Sequence, residues 1–84
     1  MSHIIVERTF TPPLTDQEMN ALMERMAPCL EIYNVRWLRS WISQDRQRGI
    51  CEYEAADAES VRNVQREAKA TFDQVWTAGV VAEP

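Results

Sequence analysis

The chain has little of what usually holds a small protein together from outside its core. It has only two cysteines, Cys29 and Cys51, in 84 residues. They fit neither a CxxC pattern nor a zinc-type cluster, so no disulfide framework or structural zinc site is expected. Two glycines cannot build a phosphate-cradling loop. A single histidine, His3, excludes a His-rich metal site within one chain. No apolar run reaches the length of a transmembrane helix. The opening "MSHIIVERTF" meets a charge at Glu7, which is unlike a signal peptide. A formal net charge of −4 leaves no basic surface for phosphate neutralisation. It also disfavours anionic membranes. Neither nucleic acid nor membrane is an expected partner, and reduced thiols point to the cytoplasm.

What remains is enough for one domain spanning residues 1–84. A chain of this size buries only about 60% of its unfolded surface. With no covalent staple, part of its stability is expected to come from self-association.

"HIIVERTF" (3–10) is rich in β-branched residues and reads as a first strand, stopped by the prolines of "TPPLT" (11–15). Thr15 and Glu18 form a capping box ahead of a stripe of Met19, Leu22, Met23 and Met26. Pro28 is expected to end or kink this helix near Ala27. "VRWLRSWIS" (35–43) and "ICEYEA" (50–55) alternate as two strands joined by "QDRQRG" (44–49), a hairpin tip with solvated charges. Asp57 caps a second helix over roughly 58–70. "FDQVWTAGVV" (72–81) supplies the last strand. The order βαββαβ predicts an α+β, ferredoxin-like fold: a four-stranded antiparallel sheet, strand order 4-1-3-2, with both helices on one face. The same element order serves RNA-recognition domains. The third strand, however, carries acids where basic and stacking residues would be needed.

Strand parity then sorts the side chains. Ile4, Val6 and Phe10, with Leu38, Ser40 and Ile42, and Cys51, Tyr53 and Ala55, are assigned to the helix-covered face. The bare face receives Ile5, Glu7 and Thr9; Trp37, Arg39 and Trp41; and Glu52 and Glu54. Trp76 is a further candidate, although Val75 and Trp76 both favour burial. An uncovered face with two or three tryptophans marks an interface or ligand site. A homodimer packed sheet to sheet is the expectation, with Trp37, Arg39, Trp41 and Trp76 around any enclosed ligand. The enclosed carboxylates would need a partner: Arg39, Arg36 or Arg8, a divalent cation, a shared proton or a polar ligand.

"VERTF" (6–10), "VRWLRSWISQDR" (35–46), "CEYEAADAESVR" (51–62) and "FDQVW" (72–76) together resemble a small bacterial family described as nickel-binding or of unknown function. The resemblance implies a dimeric ferredoxin-like fold and a nickel-linked role for at least one member. It also implies Pro at the position of Ala56, and Gly and Pro where Lys69 and Thr71 stand. These departures touch turns and helix ends. The resemblance supplies no ligand set; parity alone nominates His3, Glu7, Glu52 and Glu54 as metal-site residues, with the pair His3 and Glu7 foremost. The leading expectation is a non-catalytic dimer that handles or senses nickel or another divalent metal. Two alternatives remain open. One is an α/β-barrel enzyme or small-molecule-binding dimer using Glu7 or Glu52 as acid/base. The other is an interaction module without a ligand. Met19, Met23 and Met26 at helical spacing read as core filler before they read as a thioether site.

Overall fold

The computed structural model describes residues 1–83. Its elements are β1 (Ser2–Thr9), α1 (Asp16–Ile32), β2 (Arg36–Ile42), β3 (Arg48–Ala55), α2 (Ala58–Glu67) and β4 (Gln74–Ala78). The antiparallel sheet has the order β2-β3-β1-β4. The expected ferredoxin-like topology is therefore present, with β1 and β3 central. Ile4, Val6, Cys51, Tyr53 and Ala55 meet Met26, Cys29, Val61, Val64 and Ala68 in the core. β4 resolves the ambiguity of its parity: Val75 is buried in this core, while Trp76 is half-exposed on the other side.

Four local features depart from the sequence expectation. The first is decisive for function. β2 carries a bulge: Trp37 pairs with Tyr53, yet Arg39 pairs with Glu52. One extra residue, Leu38, interrupts the alternation, and it is not part of the core cluster. Trp37 consequently lies on the helix-covered face with Tyr53, not beside Trp41. Its indole N–H donates to Ser40 Oγ at 2.9 Å on that same side.

Second, Arg8 is buried beneath the helices and so is not available to the carboxylates of the bare face. It shares the parity of Ile4 and Val6. Third, Pro28 does not end α1, which continues to Ile32. A proline removes one helical hydrogen bond, but the following turn is anchored by buried Cys29 and by Leu30 against the core. The helix ends instead in a Schellman arrangement. Asn34 takes a left-handed φ of 54°, and the Val35 N–H donates to the Leu30 carbonyl at 2.8 Å. Fourth, the hairpin tip is not wholly solvated. Arg46 donates to the Leu14 carbonyl at 2.9 Å and pairs with Asp16 at 2.8 Å, tying the tip to the start of α1.

α2 ends in the same motif as α1. The Ala70 N–H donates to the Gln65 carbonyl at 2.8 Å, and Lys69 holds a left-handed φ of 56°. A side chain makes that conformation costly, and glycine relieves it. This explains why the family resemblance implies Gly here. Lys69→Gly is expected to raise stability by about 1 kcal/mol, read as a higher urea midpoint at unchanged slope.

Acid should weaken the helix ends and the hairpin. The backbone N–H of Ser60, followed by its hydroxyl, holds Asp57 below the usual carboxylate range. The Ser43 hydroxyl does the same for Asp45, and Arg66 for Glu59. Carboxyls with depressed folded pKa values stabilise above their unfolded values of about 4. That contribution is lost as pH falls through the lower folded values. Thermal melts should thus show a falling midpoint below about pH 4. Asp57→Ala should flatten that limb; an unchanged limb would count against Asp57 as its source.

Candidate functional site: the bare face of the sheet

The strand register lays the bare face out in three rows, written across β2, β3, β1 and β4. The first is Arg36, Glu54, His3 and Ala78. The second is Arg39, Glu52, Ile5 and Trp76, and the third is Trp41, Ile50, Glu7 and Gln74. Acids and apolar side chains interleave because all share one parity on strands that form for other reasons. The alternate positions of β1 and β3 are fixed by the core beneath. Trp41 is 53% exposed, Trp76 43% and Ile50 38%. Three large apolar groups thus face outward on a surface that neither helix covers.

Each carboxylate has a neighbour of its own. Glu7 Oε2 accepts from Trp76 Nε1 at 2.8 Å. Arg39 Nε lies 3.0 Å from Glu52 Oε1, and Arg36 Nη1 is 3.9 Å from Glu54 Oε1. These arginines are largely exposed, so the pairs contribute little to stability. Glu52 is more enclosed than Glu54, with side chains 15% and 32% exposed. Although Arg39 is close, its geometry makes no hydrogen bond, and Glu52 Oε1 is buried without a donor. That oxygen can accept a bond from another group or bind a cation.

His3 stands directly opposite Glu54. Such cross-strand neighbours have Cβ atoms about 5 Å apart, and Glu52 is the diagonal neighbour at about 7–8 Å. His3 and Glu7 share the face but are four residues apart along β1, a separation of ~13 Å. They are too distant to hold one ion within a chain, so the cross-strand pair His3 and Glu54 replaces them as the natural donor pair. Among the described residues, no three His, Cys, Asp or Glu side chains gather closely enough to hold a metal. An imidazole with one or two carboxylates suits a divalent transition metal, but one chain supplies only part of a coordination shell. Of the four aromatic and basic residues nominated for an enclosed ligand, Arg39, Trp41 and Trp76 lie on this face and Trp37 does not. No helix among the described residues is long and apolar enough to cross a membrane.

Comparison with solved structures finds the crystal structure of SCO4226 from Streptomyces coelicolor A3(2). It superposes with a TM-score of 0.84, covering 96% of this chain and all of that one at 17% identity. At that identity the likeness establishes the shared fold. No curated protein matches the chain. The family model described as "Nickel responsive protein SCO4226-like" matches residues 5–77, which takes in β1 from Ile5, both helices, β2, β3 and β4 up to Thr77. The chain therefore belongs to the SCO4226-like family of nickel responsive proteins.

Proposed function

We propose that the protein is a cytoplasmic homodimer that binds nickel between two apposed sheets and serves in nickel handling or sensing, without catalysis. The observation that carries this reading is the bare face itself. Exposed Trp41, Trp76 and Ile50 share it with His3, Glu7, Glu52 and Glu54, and neither helix covers them. Packing that face on a second copy removes the tryptophans from water. It also brings together two incomplete donor sets. Two His3 imidazoles and two Glu54 carboxylates would give four ligands of the type nickel accepts. Glu52, the diagonal neighbour of His3, would add negative charge near the ion. Family membership favours nickel over other divalent metals. The two free cysteines are buried, in keeping with a reducing compartment.

An acid/base site at Glu7 or Glu52 has less support. Glu7 is engaged by the Trp76 indole, and Glu52 lies against Arg39.

Calorimetric titration of nickel into the purified protein tests the metal reading. The expected result is one ion per two chains, with His3→Ala and Glu54→Ala each weakening binding by at least about tenfold. Glu7→Ala should have a smaller effect. Unchanged nickel affinity in both His3→Ala and Glu54→Ala would refute the ligand assignment.

A further inference from the structure

The opposite side of the sheet contains a feature that nickel binding does not use. A cavity of about 410 Å³ lies between α1 and the sheet. Met19, Met23 and Met26 line it from the helix, and Trp37, Cys51 and Tyr53 from the strands. Met26 is in the core as expected, whereas Met19 and Met23 lie outside the core cluster and wall an open space; flexible thioethers suit adaptable binding. The β2 bulge adds the Trp37 ring to this wall. A second recess, about 250 Å³, shares Arg8, Phe10, Leu14 and Leu22 with the first and reaches Arg25 and Lys69. Glu18 is the one acidic residue along it. An apolar chamber thus adjoins a cationic one, with Arg8 lining both.

Arg8 is only 3% exposed. Nη1 donates to the Thr71 carbonyl at 2.9 Å, and Nη2 to Gln65 Oε1 at 2.6 Å and Tyr53 Oη at 3.3 Å. All three acceptors are neutral. Burial pushes the Tyr53 phenol up to about 12, so it remains protonated at ordinary pH. It donates in turn to Met26 Sδ at 3.4 Å. Among the described residues Arg8 makes no ion pair, and its Nε–H has no acceptor. The neighbouring Gln65 is fully buried, and its Nε2 also lacks an acceptor. A desolvated cation without a counter-charge, beside a second unused donor, is costly unless an anion arrives.

We propose that this cleft binds a small amphipathic carboxylate, with its chain among the α1 methionines and Trp37 and its carboxylate beside Arg8. The volume lies within the roughly 300–1,000 Å³ range of small-molecule sites. The missing counter-charge at Arg8 and the apolar chamber specify the two ends of that ligand. The site stands apart from the nickel reading, since it lies across the sheet from Glu52 and His3.

Decanoate, titrated calorimetrically below its micellar concentration, serves as the probe, with decanol as its uncharged counterpart. Saturable decanoate binding is expected, about tenfold tighter than decanol because a charge-assisted hydrogen bond is gained. Arg8→Met should erase that preference. Leu22→Trp, which fills the junction of the two chambers from a half-exposed helix position, should abolish binding of both probes. Equal affinity for the two probes, absence of saturable binding, or decanoate binding undiminished in a folded Leu22→Trp protein would overturn the proposal. Should Arg8→Met fail to fold, the wild-type preference and Leu22→Trp still decide.

Discussion

Under the proposed sheet-to-sheet pairing, a chain carrying both Trp41→Asp and Trp76→Asp should sediment as a monomer at concentrations where the parent protein is expected to be a dimer. Both side chains stand on the bare face, one on each edge strand, and both are about half exposed. Aromatic residues at the centre of an interface commonly cost about 2 kcal/mol or more each when removed. Two such losses per protomer, with two carboxylates introduced, should weaken self-association by a factor on the order of 100 or more. The fold itself should survive, because neither residue is in the core cluster. Sedimentation equilibrium with circular dichroism separates the outcomes. A folded double variant that remains dimeric would move the interface to another surface. Trp37→Asp makes a useful contrast. Trp37 lies on the helix side, so it should leave the oligomeric state unchanged.

Ile4→Ala is expected to give the largest loss of stability. Ile4 is fully buried on a central strand, opposite Tyr53 on β3 and Thr77 on β4. Truncating such a residue costs about 2–5 kcal/mol, through lost transfer energy and the cavity left behind. At about 0.05–0.15 kcal/mol per residue, a domain this small holds only roughly 4–13 kcal/mol in total. The thermal midpoint should fall by ~10–30 °C. The function is exposed to the same change. Ile4 sits between His3 and Ile5, and its burial helps fix the register that sets His3 opposite Glu54. A slip of one residue would turn His3 and Glu7 inward. A loss under 1 kcal/mol by urea unfolding would argue against Ile4 as a keystone of this register.

The topology was legible because each element announces itself locally. β-branched alternation, the Thr15 and Asp57 caps and the paired prolines are short-range signals, and they agree with one another. The acidic side of β1 and β3 was legible for the same reason: a period of two needs no tertiary information. The bulge was not. In "VRWLRSW" the positions 37, 39 and 41 keep a perfect period, and only pairing with β3 reveals that Leu38 is extra. That single insertion moved Trp37 from the proposed interface to the cavity wall. Pro28 misled in a similar way, because tertiary anchoring by Cys29 and Leu30 outweighs one missing hydrogen bond. Arg8 was within reach. Ile4, Val6 and Phe10 were assigned inward, and position 8 lies between them with the same parity. A charge there reads as a surface group unless the parity is followed through. Its neutral partners, Gln65 and Thr71, come from distant parts of the chain, and no local pattern foretells them.

Crystals grown with nickel and measured at the nickel absorption edge test the main functional claim most directly. The expected anomalous peak lies between two copies of the chain packed bare sheet to bare sheet, within bonding distance of His3 from both. A peak held by residues of one copy alone, or Trp41 and Trp76 left facing solvent, would contradict it.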